Sequence, residues 1–225
     1  MIRFAFLLFI IFWFSNANAQ DYFPSEKVID EYEIVAGGGI LLNRGNDYAV
    51  LDRMNKYGYS FGIGANKFLS RNFFLNVRIL YDLRGFRSNE NYYNIDGTPG
   101  STIIDRSINY VSFYFIPTVR IGSKKNIFAG VGGFYGLLDQ AQDQLITKNQ
   151  NNQVISTRTL KTSENTKNDV GLSVRAGYSF NLKNNKKIKI EIVDNVGLVY
   201  FTESFGYPIK SNSLSVLLSF SVWNR

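Results

Sequence analysis

A unit of strand, short turn, strand and long polar loop recurs about four times along this chain, and apolar residues alternate with period two in its strands. Period-two alternation makes a sheet with one apolar and one polar face. From 170 to 180, Val170, Leu172, Val174, Ala176, Tyr178 and Phe180 share one face, and Gly171, Ser173, Arg175, Gly177 and Ser179 the other. From 213 to 223, Leu214, Val216, Leu218, Phe220 and Val222 stand against Ser213, Ser215, Ser219 and Ser221. From 73 to 84, Phe73, Leu75, Val77, Ile79, Tyr81 and Leu83 stand against Asn76, Arg78, Asp82 and Arg84.

Eight such strands are predicted: Tyr32–Leu42, Tyr57–Phe68, Phe73–Arg84, Ile108–Ile121, Ile127–Leu137, Val170–Phe180, Lys187–Tyr200 and Ser213–Trp223. Each has at least the roughly 9–11 residues that a tilted strand needs to cross a bilayer. Their connections alternate in length. Ser70–Asn72, Gly122–Asn126 and Leu182–Lys186 are short, whereas Asn43–Lys56, Gly85–Ser107, Leu138–Asn168 and Thr202–Asn212 are long. Transmembrane barrels pair short periplasmic turns with long extracellular loops. Two of the long loops read as β-hairpin extensions above the membrane, with Tyr92–Ile95 and Thr102–Ile104 flanking a turn at Asp96–Gly100, and Leu145–Lys148 and Val154–Leu160 flanking Asn149–Gln153. The expected fold is therefore all-β, an eight-stranded antiparallel transmembrane β-barrel with its first and last strands paired, since lipid tolerates no open sheet edge.

The polar face then becomes a narrow lumen, where small residues oppose large ones. Hairpin register from the short turns sets Gly58, Gly62 and Gly64 opposite Arg84, Leu80 and Arg78. It sets Gly130, Gly132 and Gly136 opposite Thr118, Ile116 and Ser112, and the triplet Gly37–Gly39 fits the same role. A phosphate-binding loop would need a helix after its glycines, and neither Gly62-Ile63-Gly64 nor Gly130-Val131-Gly132 opens one. Asp194 falls on the lipid-facing parity, where charge is costly near the midplane; a position at the outer interface or a bulge that turns it inward would each relieve that cost.

Residues 1–19 read as an export signal and 20–225 as the barrel domain. Arg3 precedes the apolar run Phe4–Phe14, and Ala17-Asn18-Ala19 offers a cleavage site. The run is too short to span about 30 Å of hydrocarbon as a helix. The 14 Tyr and 19 Phe suit aromatic girdles at the two membrane interfaces. The formal charge of +7 is dispersed among turns, loops and strand interiors, and an exported chain rarely meets nucleic acid, so nucleic-acid binding is not expected.

The segments Leu80-Tyr81-Asp82-Leu83-Arg84-Gly85-Phe86, Asn109-Tyr110-Val111 with Ile116-Pro117, Phe128-Ala129-Gly130-Val131-Gly132 and Asp169-Val170-Gly171-Leu172 resemble the PorT-like outer-membrane β-barrel family. The resemblance implies an outer-membrane location and a lipid surround. It supplies no shared catalytic site, and these architectural motifs do not imply the secretion role of the family's namesake.

The chain holds no histidine and no cysteine. Histidine is the side chain most suited to proton transfer near neutral pH, and histidine and cysteine are the main ligands of transition metals. The expectation is accordingly no enzyme, no cofactor and no metal. The carboxylate pairs Asp47/Asp52 and Asp139/Asp143 read as solvated loop acids, and Lys183–Lys187 as a solvated turn that discourages strand aggregation, the alternative being a contact for anionic headgroups or a periplasmic partner. The expected interior cluster is Arg175 paired with Glu191, at the level of Arg78, plugging the lumen. Three functions fit: a structural or surface-interaction barrel, a narrow transporter or binder of a small ligand, and an accessory subunit of an envelope export machine. The partners they imply are membrane lipid and a periplasmic or extracellular protein.

Overall fold

The computed structural model describes residues 28–42, 52–93, 98–149, 151, 153–161, 166–183, 186–204 and 207–223. The expected export signal lies outside these residues. Among them, ten strands follow one another: β1 (Glu31–Leu41), β2 (Asp52–Met54), β3 (Lys56–Phe68), β4 (Phe73–Tyr93), β5 (Pro99–Ile121), β6 (Ile127–Lys148), β7 (Val154–Lys161), β8 (Asp169–Asn181), β9 (Lys186–Ser204) and β10 (Tyr207–Trp223).

Eight of them close a ring. β1 pairs β3, β3 pairs β4, and β4, β5, β6, β8, β9 and β10 continue in order until β10 returns to β1. Every pairing is antiparallel, and the closing seam runs from Glu31 opposite Trp223 to Leu41 opposite Ser213. Closure satisfies each strand's backbone donors and acceptors on both sides, which lipid requires.

Outward positions such as Ile34, Ile63, Phe115, Ile192 and Val216 are exposed, and the intervening inward positions are buried. An exposed apolar band of this extent is poorly suited to water and matches a lipid surround. Gly62 faces Leu80 and Gly64 faces Arg78 as expected, and Gly130 faces Thr118. Two glycine expectations change. The β3–β4 ladder ends at Ser60–Asp82, so Gly58 lies beyond it, against the Leu83 carbonyl and the Leu41 side chain. Gly38 alternates outward between inward Gly37 and Gly39, because strand parity cannot place three successive residues on one face.

The strands overrun the bounds expected of them. β4 and β5 stay paired from Phe73–Val119 to Tyr93–Pro99, about 70 Å at the usual rise per residue. That is twice what crossing needs, so the upper half stands clear as a hairpin. Pro99 and Gly100, expected in its turn, belong to β5. β6 and β7 form a second extension, and β2 pairs with β4 across Arg87–Asn89. The supposed loop from Thr202 to Asn212 is mostly strand, with β9 and β10 paired up to Ser204–Tyr207. Polar composition marks these segments as solvated, and a hairpin in water is as polar as a loop.

Asp194 keeps its outward parity, level with Val174 on β8 and Leu214 on β10. The irregularities of the β9–β10 ladder fall at Ile209–Asn212, so no bulge rotates Asp194 inward.

Candidate functional site

The barrel interior is stacked in layers of opposite chemistry. At the short-turn end, Phe68, Phe74 and Phe128 form a buried aromatic ring of contacts. Phe68 and Phe74 flank the turn at 69–72 and pair directly, which puts their rings 5.3 Å apart.

The first charged layer lies above them. Arg78 Nε donates to Glu33 Oε1 at 2.6 Å, and its Nη2 lies 2.6 Å from Glu191 Oε1. Arg175 Nη1 is 3.4 Å from Glu191 Oε2 and donates to Asn76 Oδ1 at 2.7 Å. Lys189 bonds Glu31 and reaches Glu33 at 3.0 Å, and Lys187 donates to Glu31 at 2.8 Å. Asn66 and Asn76 link the carboxylates, with Asn76 Nδ2 donating to Glu33 at 2.8 Å and to Asn66 Oδ1 at 2.7 Å. Arg78, Arg175, Glu31, Glu33 and Glu191 are all essentially inaccessible. The Arg175 guanidinium carbon sits 5.1 Å from the Phe128 ring centre and 5.6 Å from that of Phe74.

A buried apolar layer follows, of Val35, Leu80, Ile116, Phe134, Val193 and Leu217 with the body of Tyr114. Above it, Arg84 bonds Asp169 and lies 3.1 Å from Asp82 Oδ2. The Tyr114 hydroxyl donates to Asp82 at 2.7 Å, Ser211 donates to Asp169, and the Arg84 guanidinium lies 4.4 Å over the Phe134 ring. Phe86, Ile104, Ile108, Tyr110, Ala141 and Ile209 make the next apolar layer. Arg106 with Asp143, and Lys56 with Asp105, sit beyond it.

The structure thus places Arg78, Arg175 and Glu191 together. Sequence reasoning missed Glu31, Glu33, Asn66, Asn76 and Lys189, which complete the network. Their signal was parity, since Glu31 and Glu33 alternate with outward Tyr32 and Ile34. Lys187 also departs from the solvated-turn expectation, because it takes an inward position at the start of β9. Asn184 and Asn185 of that run lie outside the described residues.

The candidate acid pairs do not converge. Asp139 is the extra residue where Asn109–Gln140 pairing shifts to Tyr110–Leu138. That bulge turns it outward, where the Tyr81 hydroxyl donates to it at 2.9 Å. Asp143 points inward and accepts from Arg106 Nε at 2.6 Å. Asp47 lies outside the described residues. Among the described residues, no three or more Asp or Glu carboxylates gather as a metal ion would need.

A family model described as outer membrane protein beta-barrel domain matches residues 18–201. No protein of curated function matches the chain. Similar solved structures include the attachment invasion locus protein Ail of Yersinia pestis, with 14% identity, covering 86% of this chain and 100% of that one at a TM-score of 0.32. Neisserial surface protein A has 12% identity, 84% and 95% coverage, and a TM-score of 0.41. The outer membrane protease OmpT of Escherichia coli has 11% identity, 92% and 100% coverage, and a TM-score of 0.40.

Proposed function

This chain is a member of the outer membrane protein beta-barrel domain family, and from that premise we propose that it is a closed barrel acting through its surfaces. It resides in the outer membrane, with lipid against its apolar band. Its role in this reading is structural or surface-interacting, carried by the hairpins above the membrane and the turns below it. The observation that carries the reading is the filled lumen. Two charged layers and two apolar layers occlude it in succession, and an eight-stranded barrel has room for side chains or one small ligand and no more.

An enzymatic role lacks support at residue level. No histidine or cysteine is present, and the one described acid pair is divided between two faces. Membership of the PorT-like branch is supported by the segments at 80–86, 109–117, 128–132 and 169–172. Residues 1–19 act as a cleaved export signal in this reading.

Conductance is the test. Purified protein refolded into a planar bilayer is expected to give no unitary current steps. Reproducible steps of one size would overturn the closed-barrel reading and favour a narrow transporter. Stable co-purification with other envelope proteins would instead favour the accessory-subunit role.

A further inference from the structure

The short-turn end carries a cavity of about 470 Å³ whose lining includes Arg120, Lys124, Lys125, Lys186, Lys187 and Lys189 and not one carboxylate. Phe74 and Phe128 are part of its wall. We propose that this basin is a binding site for a phosphoryl anion carrying two or more negative charges, presented on the periplasmic side.

Three features support the assignment beyond a count of charges. The cations come from three different segments, namely the end of β5, the 122–126 turn and the start of β9, so the fold gathers what the sequence separates. Solvated turns account for Lys124, Lys125 and Lys186, yet Lys189 is buried and Arg120 stacks 4.0 Å over the Phe68 ring. Side chains held by rings and carboxylates are pre-ordered, and an anion then binds with less loss of side-chain freedom.

Lys187 and Lys189 at the basin floor pair with Glu31 and Glu33 of the layer behind the wall, and across floor and layer together Arg78, Arg175, Lys187 and Lys189 outnumber Glu31, Glu33 and Glu191 by one. Arg175 is fully buried behind Phe74 and Phe128, and its Nε and Nη2 have no hydrogen-bond partner. Low-dielectric walls focus such a field into the mouth. Lys125, in the turn outside the membrane, responds to the same crowding: burial and then the Arg71 and Arg120 guanidinium groups hold its ammonium below the ordinary lysine range. A doubly charged anion relieves that repulsion. Phosphoryl oxygens suit lysine ammonium groups as point-charge partners and the Arg120 guanidinium as a forked one. The site lies at the mouth, so it stands whether or not the lumen conducts.

The test uses the full chain in nanodiscs of neutral phosphatidylcholine, titrated calorimetrically with pyrophosphate. Binding is expected to saturate, and to weaken at least about tenfold in the triple variant Lys124→Gln, Lys125→Gln, Lys186→Gln. The control triple Lys148→Gln, Arg158→Gln, Lys161→Gln, on the opposite hairpin, is expected to bind as the parent does. All three proteins are first shown to retain heat-modifiable gel migration, and the substituted positions are exposed or half-buried turn or hairpin residues. Absence of saturable binding, or equal affinity in the two triples, would overturn the site. Tighter binding of hexaglutamate than of pyrophosphate would overturn its phosphoryl chemistry. Replacing a third of the lipid by phosphatidic acid, whose phosphomonoester can carry two charges, distinguishes the sources, with singly charged phosphatidylglycerol at the same fraction as the surface-charge control. A weaker apparent pyrophosphate affinity with phosphatidic acid than with phosphatidylglycerol identifies a lipid headgroup as the native occupant, and an equal one a soluble phosphate; both uphold the chemistry.

Discussion

Glu191→Gln is the most informative single change, because Glu191 is shared by two buried arginines. Its oxygens lie 2.6 Å from Arg78 Nη2 and 3.4 Å from Arg175 Nη1. Arg78 keeps Glu33 when Glu191 is neutralised. Arg175 keeps only the Asn76 oxygen and the faces of Phe74 and Phe128, so the cost falls mainly on Arg175. Removing one partner of a buried pair costs roughly 3–5 kcal/mol, because it leaves a desolvated charge. Arg175→Met should cost less, since methionine packs against the same two rings and takes the unpartnered Nε and Nη2 with it. The double variant should then fall short of the sum of the single effects by at least about 1.5 kcal/mol. Urea unfolding in detergent micelles measures all three, with Trp223 as a reporter because it is in register with Glu31 across the closing seam. Additivity within about 0.5 kcal/mol would refute the coupling, and with it the plug.

Gly132→Val and Gly133→Val should part company although they are neighbours. A side chain at Gly132 meets the Phe115 carbonyl and the Ile116 backbone, whereas at Gly133 the nearest atom is 3.6 Å away; only the first should abolish the heat-modifiable band. Leu80→Ala with Leu217→Ala should destabilise by about 2–5 kcal/mol per site, yet the bilayer should stay silent because the charged layers on either side persist. An epitope inserted at Asn151, in the turn between β6 and β7, should be reached by antibody on intact cells. Labelling only after lysis would reverse the orientation.

What the sequence revealed and what it hid divide along a physical line. Alternation of period two reports face, and face fixed the inward set on β4, β8 and β10 from residue types alone. Short turns report register, which is why Gly62–Leu80 and Gly130–Thr118 could be paired by counting. Neither signal reports contact across the lumen. Glu33 and Arg78 flank Gly64 in one row across β1, β3 and β4 and meet over the space that its missing side chain leaves; the short turn reports only the β3–β4 half of that row, because β1 reaches β3 through a long loop. The bulge at Asp139 was equally silent, since one inserted residue leaves composition unchanged while turning every later side chain. Hairpin extensions were legible where turn residues interrupted them, at 96–100 and 149–153, and illegible at 202–212.

The charged layers also bear on how such a chain reaches its membrane. A barrel strand filled with apolar residues on both faces would read as a continuous hydrophobic segment. At the 21 residues of β4, it would match the roughly 20 apolar residues of a spanning helix and risk retention in the first bilayer it met. Arg78, Asp82 and Arg84 break that run on the inward face without touching the outward one. Their desolvation cost is met only after closure, when Glu33, Glu191 and Asp169 arrive from β1, β9 and β8. Before closure each side chain is hydrated and keeps the strand soluble; after closure the same groups fill the lumen. The ion pairs therefore need contribute little net stability to be retained, because the same charges keep β4 from reading as a continuous apolar segment before the barrel closes.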